Sequence, residues 1–248
     1  MSQPTSRPGD PDFHLLPGSR ELVDTVQLAD DLPDRRRAAV ALGEALRALT
    51  DAAVRTEVPT EVLWRTAEAL RALEPPLTAR LRTREQIPLT DDLVDGVRMY
   101  SPAVGPGNPV APPMTVEYVD GGVVGTCTLG LAYEGPPMFG HGGVSALLLD
   151  QILGHAVAAI RAPGMTVELT TKYRRPVPLE TPLRLWATAT VDDSMVIRAR
   201  GELCRADAPE DPLVLATARF VTLRPEQALR IFAAAKRPER IEPEAAHD

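Results

Sequence analysis

One stretch constrains this chain more than any other: Glu134 to Ile160, EGPPMFGHGGVSALLLDQILGHAVAAI, where a glycine-flanked histidine precedes a long apolar run. After Gly143 the next sixteen residues are nearly all helix formers, with Asp150 the only acid and Gly154 the weak position. A helix this apolar needs cover on most of its surface. An unpaired buried carboxylate is costly, so Asp150 is expected to be exposed at a site, matched by hydrogen bonds or kept protonated. The run is shorter than the ~20 residues of a membrane span and contains Asp150 and His155, which favours a core helix over a span.

The flanking sequence predicts what covers it. Thr115 to Val119 and Val123 to Leu129 read as strands joined through Asp120-Gly121, a hairpin signal because tight hairpin turns require positive φ. After the helix, Met165 to Tyr173 alternates apolar and polar residues, a strand with one wet edge or face. Leu183 to Val191, Met195 to Cys204 and Leu213 to Leu223 follow at meander spacing, separated by Asp192-Asp193 and by Asp207 to Pro212. The order β-β-α-β-β-β-β implies an α+β domain, residues 114 to 224, in which a six-stranded antiparallel sheet wraps one long helix.

Before that domain, residues 1–19 have the composition of an unpacked tail. Residues 20–90 hold a helical hairpin. Its first helix starts near Asp34 as N-cap and presents Ala39, Leu42, Leu46, Leu49 and Ala53, while its second starts at Thr60 as N-cap and presents Leu63, Trp64, Ala67, Leu70 and Leu73. The Arg35-Arg36-Arg37 run reads as a solvated face. Residues 91–113 are rich in proline and glycine and mark a linker and domain boundary. Pro225 opens a short C-terminal helix through Ala235, followed by a charged tail.

A formal net charge of -7 and 4% aromatic residues argue against nucleic-acid binding. Cys127 and Cys204 are neither a disulfide framework nor a zinc spacing and read as buried thiols; no metal site is expected. The N-terminus has no apolar secretory segment, so a cytoplasmic location is expected.

Tyr133-Glu134-Gly135-Pro136-Pro137, followed by His141-Gly142-Gly143 and by Asp150 nine positions after the histidine, resembles the hot-dog-fold acyl-CoA thioesterases, in particular the phenylacetic-acid-pathway type. The resemblance covers residues 108 to 223. It implies a hot-dog fold, hydrolysis of an acyl-CoA thioester with coenzyme A as part of the substrate and no separate cofactor, and a homodimer or dimer of dimers. It further implies that Thr166, near the start of the strand after the helix, assists Asp150.

Thioester hydrolysis needs a nucleophilic water and a stabiliser for the charge that grows on the carbonyl oxygen. Glycines at a helix N-terminus expose N–H groups with no partner inside the helix, and the helix dipole adds positive character. Gly142 is therefore the expected oxyanion donor, with Gly143 beside it. Asp150 serves as general base, or as a nucleophile forming an anhydride, and the base is favoured. His141 is read as orienting the helix start, and His155 as packing. Met138 and Phe139 are expected to border the acyl pocket, and Lys172, Arg174 and Arg175 to attract coenzyme A phosphates. A helix rises ~1.5 Å per residue, so Gly142 and Asp150 lie about 12 Å apart along its axis, which favours a site shared between two subunits.

Rival readings exist. His-Gly-Gly also occurs as an α/β-hydrolase oxyanion element, but no Gly-x-Ser-x-Gly follows. A hot-dog hydratase shares the Asp150-to-His155 spacing but places that pair in a loop. A non-catalytic acyl-CoA or lipid binder has the same fold without turnover.

Overall fold

The computed structural model describes residues 32–92, 96–112, 114–162, 164–191 and 196–222, together with 226, 227 and 230. The expected tail at 1–19, the Asp192-Asp193 turn and nearly all of the C-terminal helix lie outside the described residues. The elements are helices α1 (Leu32–Arg55), α2 (Thr60–Arg71), α3 (Glu74–Thr78) and α4 (Gly142–Ala159), with strands β1 (Thr115–Val119), β2 (Gly122–Thr128), β3 (Met165–Tyr173), β4 (Pro182–Val191), β5 (Ile197–Arg205) and β6 (Val214–Val221). This is the expected hot-dog arrangement: one six-stranded sheet in the order β1-β2-β4-β5-β6-β3, every neighbour antiparallel, with α4 against one face. Gly121 turns the first hairpin at φ 80°, the left-handed conformation that the Asp-Gly pair predicts.

The helix fits because the sheet makes room for it. Leu148, Leu149, Ile152, Leu153, Ala156 and Val157 of α4 are buried, and they face a sheet surface of small residues: Ala187, Ala189, Ala199, Gly201, Ala216 and Ala218. A side chain at Gly201 would put its Cβ 2.8 Å from Trp186 O and 3.3 Å from Leu153 Cδ2, so only glycine lets helix and strand approach this closely. Both cysteines are free, and burial pushes the Cys127 thiol up to about 12, as inert core thiols require.

The N-terminal helices differ from expectation in detail. Asp34 lies inside the first turn of α1 and pairs with Arg37, and Pro59 takes the N-cap of α2 with Thr60 already helical. Leu42 and Ala53 are exposed, whereas Ala39, Leu46 and Leu49 are half-buried as expected; the inward side of α1 also carries Arg36, Gly43 and Arg47. Arg36 is therefore not a solvated residue, because its Nε donates to Thr90 O at 2.9 Å. Arg47 donates to Pro106 O at 2.8 Å and Asn108 O at 2.9 Å. Arg55 bridges Asp51 at 2.6 Å and Glu180 at 2.5 Å. Arg47 thus fastens α1 to the proline- and glycine-rich segment and Arg55 fastens it to the sheet domain, while Arg36 ties it to Thr90 just before that segment. That segment forms turns but is packed: Met99, Ala103, Ala111 and Met114 are buried. By contrast α2 buries none of its residues, and Trp64 is 67% exposed.

A Cβ on Gly43 would meet Pro106 O at 2.5 Å and Gly107 Cα at 2.9 Å, all rigid backbone. Gly43→Ala is expected to lower stability by about 1–3 kcal/mol despite its better helix propensity. Gly154→Ala, where the new methyl meets nothing within 4 Å, is expected to raise it by about 0.5–1 kcal/mol. Chemical denaturation of both variants measures the contrast.

Candidate active site

Two hairpin-like turns deliver the start of α4. Gly135 N donates to Phe139 O at 2.9 Å, Gly140 N to Val177 O at 2.8 Å and His141 N to Tyr133 O at 2.8 Å, so the residues before the helix are tied down on both sides. Gly135 cannot carry a side chain here, because its Cβ would lie 2.9 Å from His141 Cα. Met138 sits at φ 74° in this loop, its N–H held by Glu134 Oε1 at 2.8 Å.

His141 is the N-cap of α4, as expected of a residue that orients the helix start. Its backbone is extended, and its Nδ1 accepts from Gly143 N at 3.0 Å. An accepting Nδ1 puts the proton of the neutral ring on Nε2. The cap satisfies Gly143, while the Gly142 N–H donates to no acceptor among the described residues. Gly142 is thus the open donor at the positive end of the helix dipole, and Gly143 supports the cap rather than sharing in donation.

Two turns along α4, Asp150 is half-buried and accepts from Thr166 Oγ1 at 3.0 Å through its Oδ1. The contact of acid and hydroxyl that the family resemblance implies is therefore formed. It uses one carboxylate oxygen and leaves Oδ2 available. A register shift between Thr166 and Glu168 lies at the strand position that presents this hydroxyl.

One contact has no sequence signal. Tyr173 Oη donates to Gly142 O at 2.8 Å, and the Tyr173 ring lies 3.3 Å from where a Gly142 Cβ would be. The last residue of β3 therefore braces the first turn of α4, while Thr166 near the first residue of β3 holds Asp150. Helix and edge strand run side by side, with Gly142 at the helix start braced by one end of β3 and Asp150 in mid-helix held by the other.

The remaining candidates separate. His155 is occupied elsewhere: Nδ1 meets Tyr118 Oη at 3.0 Å and Nε2 meets Gln151 Nε2 at 3.1 Å, with Ser101 Oγ donating to Gln151 Oε1 at 3.3 Å. It joins the helix to β1 and the N-terminal segment and is no partner of Asp150, which removes the basis for a hydratase dyad. Met138 is 71% exposed and Phe139 half-buried beside Pro178, at the mouth of the loop that leads to Gly142. Arg175 is paired with Asp211, and Lys172 and Arg174 are exposed at the end of β3. Among the described residues no cluster of His, Cys, Asp and Glu could hold a metal ion.

Residues 139–209, which contain the capped helix and strands β3, β4 and β5, match the family described as the thioesterase superfamily. Acyl-coenzyme A thioesterase THEM4 of Xenopus laevis is 32% identical over 98 residues, which are 37% of this chain and 41% of that protein, so the chain spans less than half the length of this curated relative. The E. coli PaaI protein from the phenylacetic acid degradation operon superposes at a TM-score of 0.40 with 17% identity, over 43% of this chain and 81% of that one. A crystal structure of a thioesterase superfamily protein is 37% identical and superposes at a TM-score of 0.65, over 74% of this chain and 94% of that one. The unit from Thr115 to Val221 is less than half of the 248 residues, so this last likeness takes in residues outside it. With an identity of 37% sustained over nearly the whole of that relative, the chain belongs to the thioesterase superfamily.

Proposed function

We propose that the protein hydrolyses an acyl-CoA thioester to the free acid and coenzyme A. The observation that carries this reading is the hydrogen bond from Thr166 to Asp150 on the same helix whose first N–H, at Gly142, is open. Asp150 Oδ2 takes a proton from water as the hydroxide oxygen bonds to the carbonyl carbon. The C=O electron pair moves to oxygen, where the Gly142 N–H meets the negative charge. Collapse restores C=O and breaks the C–S bond, and the proton held by Asp150 passes to the departing thiolate. Thr166 fixes Oδ1 throughout, which supports the base over the nucleophile, since a carboxylate tied at one oxygen is oriented to draw a proton with the other.

The site is assembled from two copies of the chain in this proposal. About 12 Å of helix axis separates Gly142 from Asp150, too far for both to act on one carbonyl. The terminal strand β3 exposes Met165, Val167 and Tyr173, an apolar edge suited to a second copy. An antiparallel pairing of two β3 edges about a two-fold axis reverses one against the other, bringing the Gly142 end of one subunit to the Asp150 end of its partner. Met138 and Phe139 then border the acyl group. The exposed Lys172 and Arg174 face the solvent-side phosphates.

A free-thiol release assay across acyl-CoAs tests the activity. Wild-type protein is expected to release thiol; Asp150→Asn is expected to lower kcat about 10²–10⁴-fold and Gly142→Pro about 10²–10³-fold. Saturable acyl-CoA binding with no thiol release from any substrate would make the protein a binder instead. Tyr173→Phe keeps the ring and removes one hydrogen bond, so kcat is expected to fall by up to about tenfold with KM unchanged. An unaltered kcat would show that the brace on Gly142 plays no part in turnover.

A further inference from the structure

The loop before α4 holds one residue in a conformation that its side chain opposes. Met138 has φ 74°, in the left-handed region where a Cβ crowds the following carbonyl. Glycine is the default at such a position, with asparagine and aspartate next. The same loop has glycine at 135 and 140, on either side, yet carries methionine here. Both backbone groups of Met138 are engaged: its N–H donates to Glu134 Oε1 at 2.8 Å, and its carbonyl accepts from Leu179 N at 3.2 Å. Glu134 is itself bridged to Gly140, two residues before Gly142. The backbone is thus locked in place while the side chain stands 71% exposed. Next to Leu179, Glu180 repeats the pattern at φ 53°, with Arg55 on its carboxylate. Two of the three left-handed non-glycine residues among the described residues therefore meet at this one place, and such residues cluster at ligand clamps.

Resting on the acyl-CoA reading above, we infer that Met138 is a specificity-determining residue that grips the acyl chain, with Glu134 the positioning residue that holds it there. Glycine at 138 would relieve the backbone, so the reason for methionine lies in its side chain. In a single chain that side chain meets mostly water. A flexible, unbranched thioether adapts to straight apolar chains of different length, and it stands at the mouth of the loop that leads to Gly142. The substrate class is a straight-chain aliphatic acyl thioester whose methylenes extend past the carbonyl to Met138. Glu134 acts through the Met138 backbone and touches no substrate. Without its carboxylate the left-handed residue loses the acceptor that offsets its strain, and the side chain leaves the mouth.

Equilibrium binding of non-hydrolysable S-alkyl thioethers of coenzyme A, from ethyl to decyl, to the full chain tests this apart from turnover. Wild-type affinity is expected to rise with chain length, by up to about fourfold per added methylene. Met138→Gly, and separately Glu134→Ala, are expected to flatten that rise and to weaken binding of the decyl thioether at least about tenfold, with an unchanged circular dichroism spectrum. Glu134→Gln keeps a side-chain carbonyl acceptor and is expected to retain the wild-type dependence. The double variant Met138→Gly/Glu134→Ala is expected to lose no more than Met138→Gly alone, because Glu134 acts only through Met138. A chain-length dependence in Met138→Gly or Glu134→Ala equal to that of the wild type overturns the inference and leaves the acyl-CoA reading standing. Binding of none of the thioethers overturns both.

Discussion

Burial of one face of α4 against the sheet is the interaction on which the rest depends. Five large aliphatic side chains, Leu148, Leu149, Ile152, Leu153 and Val157, are fully or almost fully buried there, each worth about 1.5–3 kcal/mol. The electrostatics of the helix end are smaller, about 0.3–1 kcal/mol at an exposed terminus. Packing therefore decides how the helix is rotated, and the chemical groups take the positions left to them. Asp150 and Gly142 are on the side that packing does not claim, next to β3. The alanine- and glycine-lined sheet surface is the other half of the same fit, since larger residues at Ala199 or Gly201 would lift the helix away.

The N-terminal region is fastened by a different kind of contact. Between α1 and the segment at residues 97–112 the joining groups are guanidinium N–H donors and backbone carbonyls, with Gly43 allowing the backbones to touch. Arg55 extends the attachment to Glu180, a residue held at φ 53° beside the loop that precedes α4. The helix thus supports the chain around the loop that precedes α4.

Elements with a strong period were legible in the sequence. Met165–Tyr173 alternates cleanly and is a strand over those same residues, and Asp120-Gly121 is the turn its residue types require. The spacing of His141, Gly142 and Asp150 marked the candidate site, and Thr166 reaches Asp150 as the family resemblance implied. What was not legible depends on tertiary contact. Sheet order places β3 beside β6, far away in sequence. The inward stripe of α1 carries Arg36 and Arg47 beside the expected Ala39 and Leu46, and hydrophobic periodicity assigns the two arginines to solvent because their partners are carbonyl oxygens rather than apolar side chains. Tyr173 and Gly142 are thirty-one residues apart, and nothing in either residue type announces their hydrogen bond.

The proposed hydrolysis site draws on two subunits, and the most direct test of this is turnover by purified heterodimers that combine an Asp150→Ala subunit with a Gly142→Pro subunit, isolated through two different affinity tags. In such a heterodimer one site keeps both Gly142 and Asp150 while the other loses both, so about half of the wild-type turnover is expected, although each parent homodimer is expected to fall at least about 10²-fold. Heterodimers no more active than their parents, with wild-type heterodimers active under the same handling, would contradict the shared site.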